Sequence, residues 1–313
     1  MADGFTFSGI IPANLLPFNP DFSIDENNYR RHLSWLANTS GVTGIVCNGH
    51  AAEVSSLTRE ERRRALVIGL DEVGDKVPLI SGIYTESTLE AAVLARDAKA
   101  EGASGLLIFP PSLFMFGVQD HPEMVHRYYA AIADAVDLPM VVFQYPMALG
   151  LGYPTETLAK LTEIKQVVAV KEWSNDILTF EKNLRAIRAT TRPVAVLSSF
   201  TRSLYASFVL GADGAISGMG SVTADFQVRL FDSVRNGDLD EGRRLNDQLA
   251  PLVSAFYAPP LVDMHNRMKE ALVILGRIDT AVVRPPLQPL SQKERDKIRA
   301  ALSASGISEK DRN

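Results

Sequence analysis

Lys171 is the residue whose type and position most directly suggest covalent chemistry. It follows the apolar, β-branched run 167–170 and precedes Glu172, so we expect it where a buried strand leaves the core. Near a low-dielectric interior a lysine loses part of its preference for the charged form, and the neutral amine can attack a ketone to form a Schiff base. The alternative is a structural lysine that extends to solvent or pairs with Glu172.

The elements that would position this lysine follow a regular alternation. Short apolar segments, each followed by a longer segment of helical period, recur about eight times, at 8–12, 44–47, 79–82, 105–109, 140–143, 168–171, 194–198 and 214–217. Strict alternation predicts a parallel sheet, and this number of units favours an α/β fold of the (β/α)8 TIM-barrel type over an open sheet. Beyond the eighth strand the pattern predicts only helices. We therefore expect a barrel over residues 1–222 and a helical C-terminal extension over 223–313 that includes the last barrel helix.

In such barrels the active site lies at the carboxyl ends of the strands. Among the residues that close the predicted strands, Lys171 is the only cation and the strongest nucleophile. Cys47 closes the second strand, and we expect a small buried residue there. The pattern therefore favours imine chemistry over the structural interpretation of Lys171.

Composition excludes several other classes of function. The 313 residues carry a net charge of −5 without a basic stripe, which argues against nucleic acid or an anionic membrane as a partner. No apolar stretch is long enough to span a membrane, the N-terminus lacks a secretory pattern, and one cysteine excludes an internal disulfide. We expect a cytoplasmic protein, and the scattered histidines predict no metal site.

Several motifs together resemble the dihydrodipicolinate synthase / N-acetylneuraminate lyase superfamily of class I, pyruvate-type aldolases, and the chain looks like a divergent member. The motifs lie at Phe7–Ala13, Gly49–Glu53, Val170–Glu172, Gly211–Ser217, His265–Lys269 and Val283–Leu287. The resemblance implies a homotetrameric barrel with no metal or organic cofactor. It also implies that Lys171 forms a Schiff base with the carbonyl of pyruvate or another 2-keto acid.

The loop after the second strand departs from the family pattern. The family has hydroxyl residues where this chain has His50 and Ala51, after Gly49. Backbone N–H groups around Ala51 and Ala52 are still expected to hold the keto acid's carboxylate, while His50 supplies a donor or a titrating group. The alternative for His50 is a loop histidine that bonds a neighbour. By the same resemblance, Ile216 contributes backbone contacts near the lysine.

A second departure concerns proton transfer. The family places a tyrosine at the first position of a Tyr-x-x-Pro motif, and this chain has Phe143 there. A phenyl ring cannot relay a proton. Tyr145 would point to the same side of a continued strand and is the candidate substitute. Its alternative role is packing against Met147 or Pro146.

A third departure lies at the predicted mouth. The segment 110–116 is apolar where the lysine-biosynthesis enzymes carry paired tyrosines, and Ala148 stands where they use an arginine to hold a carboxylate. These changes predict that the chain is not a dihydrodipicolinate synthase itself. They also predict an apolar mouth suited to a bulkier or less charged aldehyde, unless the same side chains pack in the core or between subunits: Phe109, Leu113, Phe114, Phe116, Tyr145 and Trp173.

The sequence thus predicts a Schiff-base-forming lyase, of aldolase, hydratase-aldolase or dehydratase type, that acts on pyruvate or another 2-keto acid. Lys171, Tyr145 and His50 are the expected catalytic residues. The alternative is a barrel that binds a keto acid or a sugar acid without turnover. The pattern does not distinguish the keto acid, the aldehyde or the direction of the reaction.

Overall fold

The structure, a computed structural model, describes residues 6–199 and 201–308. Within these residues eight parallel strands form the predicted barrel, and every predicted strand is confirmed with each end within one residue. Around the sheet the order is β1-β8-β7-β6-β5-β4-β3-β2, and single parallel bridges from Ile10 to Val42 and from Ala13 to Val46 bring the first and second strands together. The strands are β1 (Gly9–Pro12), β2 (Ile45–Cys47), β3 (Leu79–Ile83), β4 (Gly105–Ile108), β5 (Met140–Gln144), β6 (Val167–Glu172), β7 (Ala195–Ser198) and β8 (Gly214–Ser217).

A helix follows each strand. The barrel helices are α1 (Glu26–Asn38), α2 (Arg59–Val73), α3 (Thr88–Glu101), α4 (Pro122–Ala135), α5 (Thr155–Leu161), α6 (Ile177–Arg188), α7 (Leu204–Leu210) and α8 (Gly220–Arg235). Two of them begin at side-chain caps: Thr58 and Glu61 form a complete capping box on α2, and the Ser87 side chain accepts from the Glu90 N–H on α3.

Up to residue 308, where the description of the chain ends, three more helices form the C-terminal extension: α9 (Leu239–Phe256), α10 (Met264–Ile274) and α11 (Gln292–Ala304). The boundary expected between residues 222 and 223 falls inside α8, where Thr223 has non-helical backbone angles of φ −128° and ψ 37°. The division into two units stays a prediction. Among the described residues, no helix has the length and apolarity required to cross a membrane.

The register of β5 and β6 orients the lysine. Phe143 pairs with Lys171 and Gln144 with Glu172, and side chains alternate between the two faces of a strand. Glu172 therefore points away from the barrel interior, toward α6. Its carboxylate accepts hydrogen bonds from Asn183 Nδ2 at 2.9 Å and from the Ser174 N–H at 3.1 Å. The interpretation in which Lys171 pairs with Glu172 is excluded by this geometry.

Candidate active site

A cavity of about 410 Å³ opens at the carboxyl ends of the strands. The strand ends and the loops that follow them contribute one part of its wall: Ala13, His50, Ala51, Glu53, Ser55, Ser56, Phe143, Tyr145, Leu149, Lys171, Trp173, Ser199 and Gly218. The C-terminal extension and the segments that flank α10 contribute the rest: Tyr257, Leu261, Val262, Met264, His265, Arg284, Pro285, Pro286 and Leu287. Two distant parts of the chain therefore enclose one site.

Lys171 lies at the base of this cavity with 7 % of its surface exposed. Its Nζ is 3.9 Å from the centroid of the Phe143 ring, and among the described residues no carboxylate lies within 4.0 Å of it. Burial lowers the pKa of Lys171 to about 7, because the desolvated ammonium has no anionic partner to offset the loss of water. A substantial fraction of this amine is therefore neutral, and nucleophilic, at neutral pH.

His50 and Tyr145 line the cavity with Lys171 and form a hydrogen bond between His50 Nε2 and the Tyr145 hydroxyl. Tyr145 also packs on Phe143, with 4.3 Å between ring centroids, and lies edge-on to Trp173. Tyr145, two positions after Phe143, thus lines the cavity that Phe143 also lines. His50 does bond a neighbour and Tyr145 does pack, as their alternative roles state, but both side chains also line the cavity, so their catalytic roles stay predictions.

Both members of the pair are neutral. Burial, with a smaller contribution from the positive charge of Lys171, lowers the pKa of His50 to about 3. Burial also raises the pKa of Tyr145 well above its usual value. His50 therefore does not titrate near neutral pH, and the pair can exchange a proton without either residue carrying a resting charge.

The loop after β2 offers a free backbone donor at the cavity. The Ala52 N–H donates to Gly49 O at 3.0 Å inside a short 3-10 turn, His50–Ala52, so it is not available to a ligand. In the described part of the chain no hydrogen bond engages the Ala51 N–H, and Ala51 lines the cavity. Gly49 is buried behind the turn, and Ile216 is buried within β8; neither is among the residues that line the cavity.

Buried charges hold this loop in place. Glu53 has a left-handed backbone (φ 55°), which is unfavourable for a residue with a side chain. Its carboxylate accepts from Lys269 Nζ at 2.5 Å and from the Arg284 N–H at 2.9 Å. Arg284 in turn donates to Glu61 at the start of α2. The extension thereby fixes the turn that carries His50 and Ala51.

The predicted apolar mouth is partly different from the observed one. Tyr145 and Trp173 line the cavity, but Phe109 and Phe114 are buried in the core. Leu113 and Phe116 are 60 % and 83 % exposed and lie outside the cavity wall. The apolar wall comes instead from the extension, through side chains such as Leu261, Val262 and Leu287. Cys47 is buried as expected, and burial raises the pKa of its thiol to about 12.

The sequence did not identify His265 as a cavity residue. His265 and Lys269 are four residues apart in α10, a spacing that places two side chains on one helical face. Lys269 faces the barrel, so a residue four positions before it lies on the same side of the helix. This spacing is the sequence signal that could have identified His265. Among the described residues, no group of three or more His, Cys, Asp and Glu side chains is arranged to hold a metal ion.

Comparisons with known proteins agree on one family. A 4-hydroxy-tetrahydrodipicolinate synthase from Gluconacetobacter diazotrophicus is 28 % identical over 96 % of this chain and 98 % of its own length. The enzyme of the same name from Methanopyrus kandleri is 30 % identical over 97 % of this chain and 98 % of its own. Because relatives of this similarity carry that name, the prediction that this chain is not a dihydrodipicolinate synthase is not borne out.

Solved structures give the same result. The prophage protein YagE of E. coli K12, a member of the dihydrodipicolinic acid synthase family crystallised with pyruvate, has a TM-score of 0.88 at 25 % identity, covering 96 % of this chain and 99 % of its own. Dihydrodipicolinate synthase from Thermotoga maritima has a TM-score of 0.87 at 27 % identity, covering 96 % and 99 %. The model of the dihydrodipicolinate synthetase family matches residues 6–305, and the chain belongs to that family.

Proposed function

We propose that this protein is a class I lyase that forms a Schiff base between Lys171 and pyruvate or another 2-keto acid. The observation that carries the proposal is the buried, unpaired amine of Lys171 at the base of the cavity, with its pKa lowered to about 7 by burial. YagE, a structural neighbour in the same family, was solved in complex with pyruvate. A barrel that only binds a keto acid would gain nothing from a desolvated amine without a counter-ion.

The reaction begins with attack of the neutral amine on the keto carbon. As the N–C bond forms, the carbonyl oxygen takes up a proton and the nitrogen loses one, which gives a carbinolamine. The carbinolamine then takes up one proton from solvent and loses its hydroxyl as water, leaving a protonated imine. The positive imine withdraws electrons from the neighbouring carbon, so a C–H or C–C bond there can break heterolytically, or form in the reverse direction.

Tyr145 and His50 are suited to move these protons. With His50 protonated on Nδ1, its Nε2 accepts the Tyr145 hydroxyl hydrogen, and the phenol oxygen is free to accept from the attacking amine. One proton then passes from the amine to Tyr145 while another passes from Tyr145 to His50. The same steps in reverse deliver one proton to the carbonyl oxygen, which completes the carbinolamine and restores the pair, and a further proton from solvent converts the departing hydroxyl to water.

The carboxylate of the keto acid is assigned to the free N–H of Ala51. The sequence led us to expect that the N–H groups around both Ala51 and Ala52 bind the carboxylate. We now assign only that of Ala51, because the Ala52 N–H already donates to Gly49 O. A backbone donor to a carboxylate forms a charge-assisted hydrogen bond, which is stronger than a neutral one. The role assigned to Ile216, a backbone contact near the lysine, stays a prediction.

Trapping of the imine tests the proposal. The protein is incubated with pyruvate and a panel of larger 2-keto acids, reduced with borohydride, digested and analysed by mass spectrometry. We expect the reduced adduct on Lys171, and no adduct without the keto acid. Absence of an adduct with every keto acid in the panel would refute the lyase assignment. Aldehydes with and without a carboxylate, added to the pyruvate-loaded protein, would then identify the second substrate.

A homotetramer is also proposed, as the family resemblance implies. Three apolar side chains of the 3-10 turn Ser112–Phe116, those of Leu113, Met115 and Phe116, are 60 %, 48 % and 83 % exposed, which supports contact with another copy of the chain. Light scattering measures the mass in solution. A monomer at micromolar concentration would contradict this assignment and leave the lyase proposal unaffected.

A further inference from the structure

His265 contributes an unused polar group to the cavity. It lies in the first turn of α10, in the part of the wall that the C-terminal extension builds. A β-carbon on Gly218 would lie 3.1 Å from His265 Nε2 and 3.5 Å from Ala51 Cβ. The missing side chain at Gly218 therefore lets the imidazole approach the loop that carries the free Ala51 N–H.

The ring of His265 has capacity for a ligand. In the part of the chain that the structure describes, no hydrogen bond joins either ring nitrogen to another residue, whereas His50 is bonded to Tyr145. Burial, with smaller contributions from His50, Lys171 and Lys269, lowers the pKa of His265 to about 3. The neutral ring carries one N–H donor and one acceptor nitrogen. Because His265 is half-buried and lines the cavity, its donor nitrogen can exchange water for an acceptor on a bound molecule.

We propose that His265 donates a hydrogen bond to the carboxylate of the 2-keto acid, beside the Ala51 N–H. This inference rests on the proposed function, because it presumes that Lys171 binds the keto carbon. His265 supplies, from α10, the side-chain hydrogen-bond donor that the loop after β2 lacks because it has no hydroxyl residues at His50 and Ala51. It is a substrate-binding residue, so it acts on the affinity for the carboxylate and not on the amine itself.

The test measures how borohydride trapping depends on ketone concentration, in the full-length protein. Wild type, His265→Leu and His265→Gln are compared, and His121→Leu, which replaces an exposed histidine that does not line the cavity, is the matched control. Pyruvate is compared with acetone, a ketone that has no carboxylate. Circular dichroism and urea unfolding confirm that each variant is folded, and His265→Asn, whose shorter side chain withdraws the donor, replaces His265→Leu if the latter does not fold.

For pyruvate we expect the half-saturating concentration to rise about 10- to 100-fold in His265→Leu, the effect of losing one hydrogen bond to a charged group. The extent of trapping at saturation should be unchanged, acetone should show no difference, and His265→Gln should recover most of the affinity. An unchanged value for pyruvate, or an equal rise for acetone, would overturn the role of His265 and leave the lyase proposal standing. A wild-type protein that gives no adduct with any keto acid would overturn both.

Discussion

Lys171 at the end of β6 and Lys269 in α10 are both buried, with 7 % and 1 % of their surfaces exposed. Each ammonium lies over an aromatic ring: Lys171 Nζ is 3.9 Å from the centroid of Phe143, and Lys269 Nζ is 4.6 Å from that of Phe18. Only Lys269 has a carboxylate partner, Glu53, at 2.5 Å. Burial and an aromatic neighbour are therefore common to both, and the counter-ion is what differs.

This difference separates a structural lysine from a reactive one. Burial lowers the pKa of both amines, but at Lys269 the carboxylate of Glu53 opposes the shift. An ion pair of this kind keeps the ammonium protonated and occupies it with an acceptor. Lys171 has no such restraint, so its lone pair is available to an electrophile. The predictions below test whether the counter-ion accounts for the two roles.

The largest effect is expected at the nucleophile. Lys171→Arg keeps a positive charge and removes the primary amine, so no imine can form and both trapping and turnover should be lost completely. Adduct mass spectrometry and a pyruvate-consumption assay measure the loss. The matched control is Lys269→Arg, whose adduct should still map to Lys171. An adduct elsewhere in Lys171→Arg would show that the unpaired amine is not the reactive one.

The second prediction concerns stability. Lys269→Met leaves the Glu53 carboxylate buried without its partner, and we expect a loss of about 3–5 kcal/mol in the free energy of unfolding. Urea denaturation measures it. The double variant Lys269→Met with Glu53→Gln should be less destabilised than the two single changes added together, because it removes both charges of one pair. Full additivity would mean that the ion pair does not restrain the loop.

Features of the fold and the site could be predicted from the sequence where they depend on residues close together in the chain. The strands and Lys171 were predictable because alternation and strand ends are local properties of 4–15 residues. The contact between Lys269 and Glu53 joins residues 216 positions apart, and no local pattern carries it. His50 and Tyr145 were each predicted as candidates, but their hydrogen bond spans 95 positions and needed the closed barrel.

The loop after β2 shows a second limit. The sequence weighted the N–H groups of Ala51 and Ala52 equally, and only the backbone conformation reveals that the 3-10 turn uses one of them. The predicted mouth failed at Leu113 and Phe116 for a similar reason, since apolar residues near a strand end can point inward or outward. The extension took their place because it folds back over the strand ends, where His265 and Leu261 reach the cavity.

The third prediction compares the polar surroundings of the two lysines. In the cavity with Lys171 the hydrogen-bonded pair of His50 and Tyr145 is neutral, and each member can both accept and donate a proton. Tyr145→Phe should lower the rate of adduct formation by about 10²-fold, a usual effect of losing acid–base assistance. His50→Leu should give a similar loss, and the double variant should be little worse than either, because the pair acts as a unit. Stopped-flow trapping measures the rates, and independent effects would refute a shared relay.

The smallest predicted effect is the pH dependence of the unpaired amine. With a pKa of about 7, half of the Lys171 amine is neutral at pH 7, and the rate of trapping with cyanoborohydride should fall about 10-fold per pH unit below that point and level off above it. His50 and His265, with pKa values near 3, and Tyr145, whose pKa is raised, do not titrate in this range, so one inflection is expected. A midpoint near the ordinary lysine value would contradict the comparison, since a protonated Lys171 would then differ little from Lys269. A carboxylate introduced beside the amine by Phe143→Glu should raise the midpoint, because it supplies the counter-ion that only Lys269 now has.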